Sequence, residues 1–111
     1  MNVRNAVISF QCAERIKSGS IIASKLVDGV VAMDDEERKE TRKLLIRFMD
    51  ALLGEIRIAY NASQLNFFKE AGLDLERSIE SVRSEKYEEA LRSISHAVSS
   101  LQLEEKLRPM F

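Results

Sequence analysis

The sequence has few of the residues that interrupt helices or that commonly carry chemistry. Of its 111 residues, one is proline, four are glycine, one is cysteine, one is histidine and none is tryptophan. Because proline and glycine are the strongest helix breakers, a chain so poor in both can form long helices. The lone cysteine, Cys12, excludes an internal disulfide and a cysteine-based zinc site, and it fits a reducing cytoplasm.

Charge and hydrophobicity are both balanced. The chain carries 17 basic and 18 acidic residues, so no long-range field draws it to nucleic acid or to anionic lipid. Its length is that of one domain, which we expect to span residues 1–111. The uncharged run 58–68 is too short and too polar to cross a bilayer, and the first twenty residues show no targeting segment. We therefore expect a cytoplasmic protein that does not insert into a membrane.

Apolar residues recur with the period of a helix and never alternate as they would in a strand. In the first third of the chain, the apolar stripe shifts around the helix across the Ser-Gly-Ser triplet 18–20. This shift predicts two helices, 3–17 and 20–33, with one bent helix as the alternative.

The middle of the chain predicts a long helix, 35–70, which would begin at the capping residue Asp34 and stop at Gly72. An earlier end, or a bend near Asn61, is the alternative. The predicted helix has two apolar rows. The first row faces the core and contains Leu45, Phe48, Leu52 and Ile56, and the second row also needs to be shielded from solvent. The second row repeats every seven residues: Leu44, Ala51, Ile58 and Leu65.

Two further helices, 74–84 and 86–107, are predicted to meet at 84–86, and Pro109 would end the second. The fold class is therefore all-α, an antiparallel bundle of four to five helices with one long central helix. The predicted core residues are Leu45, Phe48, Leu52, Ile56, Leu91, Ile94 and Val98.

Few residues suggest catalysis. His96 projects away from its helix's apolar face, and no base marks Cys12 as a nucleophile. We expect no metal, no cofactor and no catalytic residue. Segment 36–40, Glu-Glu-Arg-Lys-Glu, resembles the first acidic motif of the all-α nucleotide pyrophosphohydrolases. The second motif of that family, Glu-x-x-Asp, does not occur downstream, so a small magnesium-dependent nucleotide hydrolase ranks third among the functions considered.

The leading interpretation is a non-enzymatic protein-interaction or assembly module. The alternative is a nucleic-acid-associated accessory protein that contacts phosphates through the basic face of helix 35–70. Acidic residues at helical spacing interleave with that face and can neutralise it, so nucleic acid is not the favoured partner. The candidate phosphate contacts are Arg38, Lys39, Arg42, Lys43 and Arg47.

The favoured partner is another protein or a second copy of the chain. If the long helix outreaches its neighbours, its far end would expose Leu65, Phe67 and Phe68. A two-fold homodimer would cover these residues. The alternative is that the end of the chain, with Met110 and Phe111, folds over them.

Overall fold

Four α-helices make up nine-tenths of the residues that the computed structural model describes, residues 3–102, and this part contains no strand. The helices are α1 (Val3–Val31), α2 (Asp35–Ser63), α3 (Asn66–Arg83) and α4 (Tyr87–Ser100). The predicted all-α class is confirmed.

Each helix packs against two others, in the pairs α1–α2, α2–α3, α3–α4 and α1–α4. The connections are too short to cross the bundle, so consecutive helices run antiparallel. α1 and α2 each contain 29 residues, whereas α3 has 18 and α4 has 14. The expected single central helix is therefore replaced by a pair of equally long helices, and the described residues form four helices rather than five.

Helix α1 passes through the Ser-Gly-Ser triplet without a break, so the prediction of two helices is wrong. The buried residues of α1 keep one phase along its whole length, in two interleaved seven-residue series: Ala6, Ala13, Ser20 and Val27, with Ser9, Ile16, Ala23 and Val30. The hydroxyl of Ser20 donates to the carbonyl of Ile16 at 2.9 Å, so its polar group is satisfied inside the helix. The apparent phase shift came from larger apolar residues that are exposed.

The predicted start of the long helix is confirmed, but its predicted end is wrong. The carboxylate of Asp34 accepts a hydrogen bond from the amide of Glu37 at 2.9 Å and so caps α2. The helix ends at Ser63, because Gln64 adopts a left-handed conformation with φ 59° and its amide donates to the Tyr60 carbonyl. This matches the earlier end that the sequence left open.

The prediction that Gly72 stops a helix is wrong. Gly72 lies buried inside α3. A β-carbon at this position would come within 3.4 Å of the Ile56 side chain, so glycine lets α3 approach α2 closely. The predicted helix 74–84 is consequently the second half of α3.

The predicted joint at 84–86 is confirmed: α3 ends before it, Glu85 has a φ of 60°, and α4 begins after it. Helix α4 ends at Ser100. The prediction that this helix extends to residue 107 is therefore wrong, because Leu101 and Gln102 are not helical. Pro109, Met110 and Phe111 lie outside the described residues.

All seven predicted core residues pack in the interior or at its edge. Leu45, Leu52, Ile56 and Ile94 are buried, while Phe48, Leu91 and Val98 are partly buried against the core. No helix in the described part of the chain is both long enough and apolar enough to cross a lipid bilayer.

Candidate functional site

Helix α1 directs its small residues inward and its large apolar residues outward. Five of its eight buried residues are alanine or serine. Small side chains on its inner side allow α1 to lie close to both of its neighbours. The large apolar side chains of α1 remain in contact with solvent. Its exposed apolar residues are Val3, Val7, Ile8, Ile21, Ile22, Leu26 and Val31.

Some of these residues form a continuous surface with α2. At about 100° per residue, Ile8, Ile22 and Leu26 lie on the flank of α1 that borders α2. Leu44, Ala51 and Ile58 lie on the facing flank of α2. We call these six residues the α1–α2 outer face. Exposure reaches 63% at Leu44 and 71% at Ile58, and Ile8, Ile22 and Leu26 are each 40–50% exposed.

A groove between α1 and α2 runs along this face. Towards one end it forms a cavity of about 350 Å³, with Gly19, Phe48 and Leu52 in its lining. At the other end, a second cavity of about 510 Å³ lies between α1, the end of α2 and the start of α3, with Ile8, Cys12, Leu65 and Phe68 in its lining. Apolar recesses of this kind receive side chains from a binding partner.

One ion pair crosses the groove at the smaller cavity, whose lining includes both of its residues. The Arg15 Nε atom lies 3.9 Å from a carboxylate oxygen of Glu55, and the two side chains are 67% and 45% exposed. An exposed pair at this distance contributes little to folding. Both groups retain hydrogen-bonding capacity that a partner can use.

Two of the three residues predicted to mediate self-association, Leu65 and Phe68, line the larger of these cavities. Phe68 is buried in the core, and Leu65 and Phe67 are partly buried against it. The two phenylalanine rings pack at a centroid distance of 4.7 Å. With 1% of its surface exposed, Phe68 offers little surface to a partner. The large exposed apolar residues lie instead on α1, at Leu44 and Ile58 of the second α2 row, and at Leu73 of α3.

The basic cluster is divided among several structural roles. Arg38 donates to the carbonyls of Val30 at 3.1 Å, Val31 at 3.1 Å and Met33 at 2.7 Å. These carbonyls belong to the last turn of α1 and the turn after it, where regular helical hydrogen bonds end, and the Val30 carbonyl also accepts from the Met33 amide at 3.2 Å. Arg38 thus ties the end of α1 to the start of α2.

Arg42 connects α2 to the α3–α4 joint. Its Nη1 atom donates to Glu85 at 2.6 Å and to the Tyr87 hydroxyl at 3.3 Å. The hydrogen bond with Tyr87 is the main cause that raises the pKa of Arg42 above its usual value. Lys43 pairs with Glu40, whereas Lys39 and Arg47 are exposed. Three of the five candidate phosphate contacts are thus engaged within the chain.

The remaining candidates for chemistry do not converge on the groove. His96 is exposed, as predicted, and its Nδ1 atom lies 3.1 Å from the buried carboxylate of Asp74. The acidic motif 36–40 lies in the first turns of α2 and is largely exposed. Within residues 3–102, no three His, Cys, Asp or Glu side chains are placed to hold a metal ion.

Comparison of the chain with family models, with characterised proteins and with solved structures finds no match. The outer face is therefore judged on its own geometry. Sequence reasoning missed Ile8, Ile22 and Leu26 as surface residues, because it took large apolar residues to mark the core. The signal that would have revealed them is the seven-residue repeat of small residues along α1.

Proposed function

We propose that this chain is a non-enzymatic protein-interaction or assembly module that works through the α1–α2 outer face. The observation that carries the proposal is the orientation of α1, which buries alanine and serine and exposes isoleucine and leucine. A helix with this arrangement has apolar surface on both sides, and only one side is covered by its own bundle.

The energetics favour a partner on this face. Fully burying one large aliphatic side chain contributes about 1.5–3 kcal/mol. Five such side chains of the outer face are 40–71% exposed, so each retains a large part of this contribution for a binding event. The groove supplies the concave shape that anchoring side chains require.

The lone half-buried thiol of Cys12 fits the expected cytoplasmic location, where thiols remain reduced. We propose that the partner is met in that compartment.

Site-specific photocrosslinking tests the proposal. A benzophenone amino acid placed at position 22 should give one discrete covalent product when the full chain is irradiated in the cells that express it. The same group at position 73 is the matched control, because Leu73 is a large aliphatic residue of similar exposure (45%) but lies on α3. Absence of a product at position 22, or the same products at both positions, would contradict the proposal.

A further inference from the structure

We infer that the partner on the α1–α2 outer face is a second copy of this chain, related by a two-fold axis that runs parallel to the groove. The inference rests on the proposed function and adds the identity and orientation of the partner. In this arrangement, α1 of each copy lies over α2 of the other. The four long helices then enclose a second apolar core.

Residues of α1 and α2 lie at matching levels along the helix axes. Arg15 pairs with Glu55, and Gly19, four residues later on α1, lies against Leu52, three residues earlier on α2. The antiparallel pairing continues in this register, so Ile22 is level with Phe48. At each height, the outer face therefore presents one α1 position and one α2 position.

The charge at the centre of the face also favours this arrangement. An axis parallel to the groove exchanges α1 and α2 between copies at constant height. Arg15 of each copy then lies over Glu55 of the other, and the two ion pairs become a network of four alternating charges. Such networks are more favourable than isolated surface pairs.

The same charges disfavour the rival two-fold arrangement centred on this pair. An axis perpendicular to the helices at this height places α1 over α1 in the opposite direction. Arg15 would then meet a second Arg15, and Glu55 a second Glu55. Like charges brought together at an interface oppose association.

The apolar surface on either side of the charged pair favours the parallel axis as well. With the axis parallel to the groove, Ile22 lies over the α2 flank near Ala51, and Leu26 lies over Leu44. Ser18 and Gly54, which point outward at nearly the same height, also come together. A β-carbon at position 54 would have no neighbour within 4 Å in the single chain, so this place has room for a second helix.

The area of the face formed by α1 and α2 is large enough for a stable dimer interface. Helices of 29 residues are roughly 43 Å long, and two of them side by side present about 850 Å². A stable interface buries about 800 Å² on each partner. The long side chains at its edge, such as those of Lys25 and Arg47, can extend into solvent.

Sedimentation equilibrium of the full chain at micromolar concentration is the primary test. The expected mass is twice the 12.7 kDa of one chain. Ile22→Glu should shift the dissociation constant at least tenfold towards the monomer without loss of helical circular dichroism. Leu73→Glu, the control on α3, should remain dimeric. If the wild-type chain were still monomeric at about 100 times that micromolar concentration, the inference would be overturned.

A charge reversal tests the role of the central pair. Arg15→Glu should weaken the dimer, because four carboxylates then meet at the centre of the face. The double variant Arg15→Glu, Glu55→Arg should restore it. If the double variant is as weak as Arg15→Glu, the alternating network is not present.

Engineered cysteines test the orientation. In a Cys12→Ser background, Ser18→Cys and Gly54→Cys chains mixed together should form a disulfide between the two variants. A disulfide that forms instead between two Ser18→Cys chains would overturn the parallel axis.

The crosslinked product from position 22 separates this inference from the proposed function. A product of twice the chain mass supports both. A product with a different protein overturns the second copy but retains the interaction module. An internal link to segment 103–111, with no increase in mass, overturns both.

Discussion

Gly19 on α1 lies directly against Leu52 on α2: a β-carbon at position 19 would come within 2.8 Å of the Leu52 Cδ1 atom. No real β-carbon tolerates that distance, so an added methyl group must displace the buried leucine. An alanine at this position would therefore change the packing of Leu52 in the floor of the groove between the two longest helices.

Gly19→Ala should therefore fail to give the stability that alanine normally adds to a helix. Gly29→Ala, on the same helix and with no neighbour within 4 Å of the new β-carbon, should raise the free energy of unfolding by up to about 1 kcal/mol. Urea titrations of both variants provide the comparison. Equal stabilisation by the two substitutions would show that Leu52 adjusts without cost.

Two leucines on α3 test the assignment of its buried face. Leu75 is fully buried, so Leu75→Ala should lower the free energy of unfolding by about 2–5 kcal/mol. Leu73 is 45% exposed, and Leu73→Ala should cost about 0.5 kcal/mol or slightly more. Chemical denaturation of the pair would refute the orientation of α3 if the order were reversed.

Arg38 is predicted to act in stability and not in phosphate binding. Arg38→Met removes the donor to three carbonyls at the end of α1 and should lower the free energy of unfolding by about 1.5–3 kcal/mol. Lys39→Met, at the exposed neighbouring position, should change it by less than about 0.5 kcal/mol. Thermal unfolding followed by circular dichroism distinguishes the two, and an equal response would show that the carbonyls find other donors.

The hydrogen bond between Arg42 and Tyr87 should be insensitive to pH across the physiological range. Tyr87→Phe should lower the free energy of unfolding by about 0.5–1.5 kcal/mol. Because the pKa of Arg42 is raised above an already high value, its contribution is complete below the usual arginine pKa and is lost only as pH rises beyond it. The cost of Tyr87→Phe, measured by urea denaturation, should therefore be the same at about pH 6 and about pH 9. If the cost of Tyr87→Phe decreased on going from the lower pH to the higher pH, this account would be contradicted.

Gln64 is held in a left-handed conformation that glycine adopts more readily. That conformation costs a non-glycine residue roughly 1–2 kcal/mol, while glycine adds roughly 0.5–1 kcal/mol of chain entropy to the unfolded state. Gln64→Gly should consequently raise the free energy of unfolding by about 0.5–1 kcal/mol. Ala62→Gly, two residues earlier inside α2, should lower it by about 1 kcal/mol. A loss of stability in Gln64→Gly, seen in the same titration, would show that the glutamine side chain supplies more than the conformation costs.

The sequence by itself determined the helical class and the helix boundaries that depend on short-range bonds. The Asp34 cap joins residues three positions apart, and the joint at 84–86 interrupts a clear apolar period, so the residues involved are visible in one window of the chain. The second apolar row of α2 was also visible in the sequence. Its residues Leu44, Ala51 and Ile58 are exposed to solvent in the structure.

Only the tertiary structure decided which side of α1 is buried and whether Gly72 stops a helix. Both depend on how closely two helices approach, and that distance is set by residues far apart in the chain. At such contacts a small residue is preferred to a large one, because it lets the backbones come together and gives many more atoms a neighbour. For this reason Ala, Ser and Gly lie at the helix contacts of this protein, and Ile8, Ile22 and Leu26 form the outer face on which its proposed function depends.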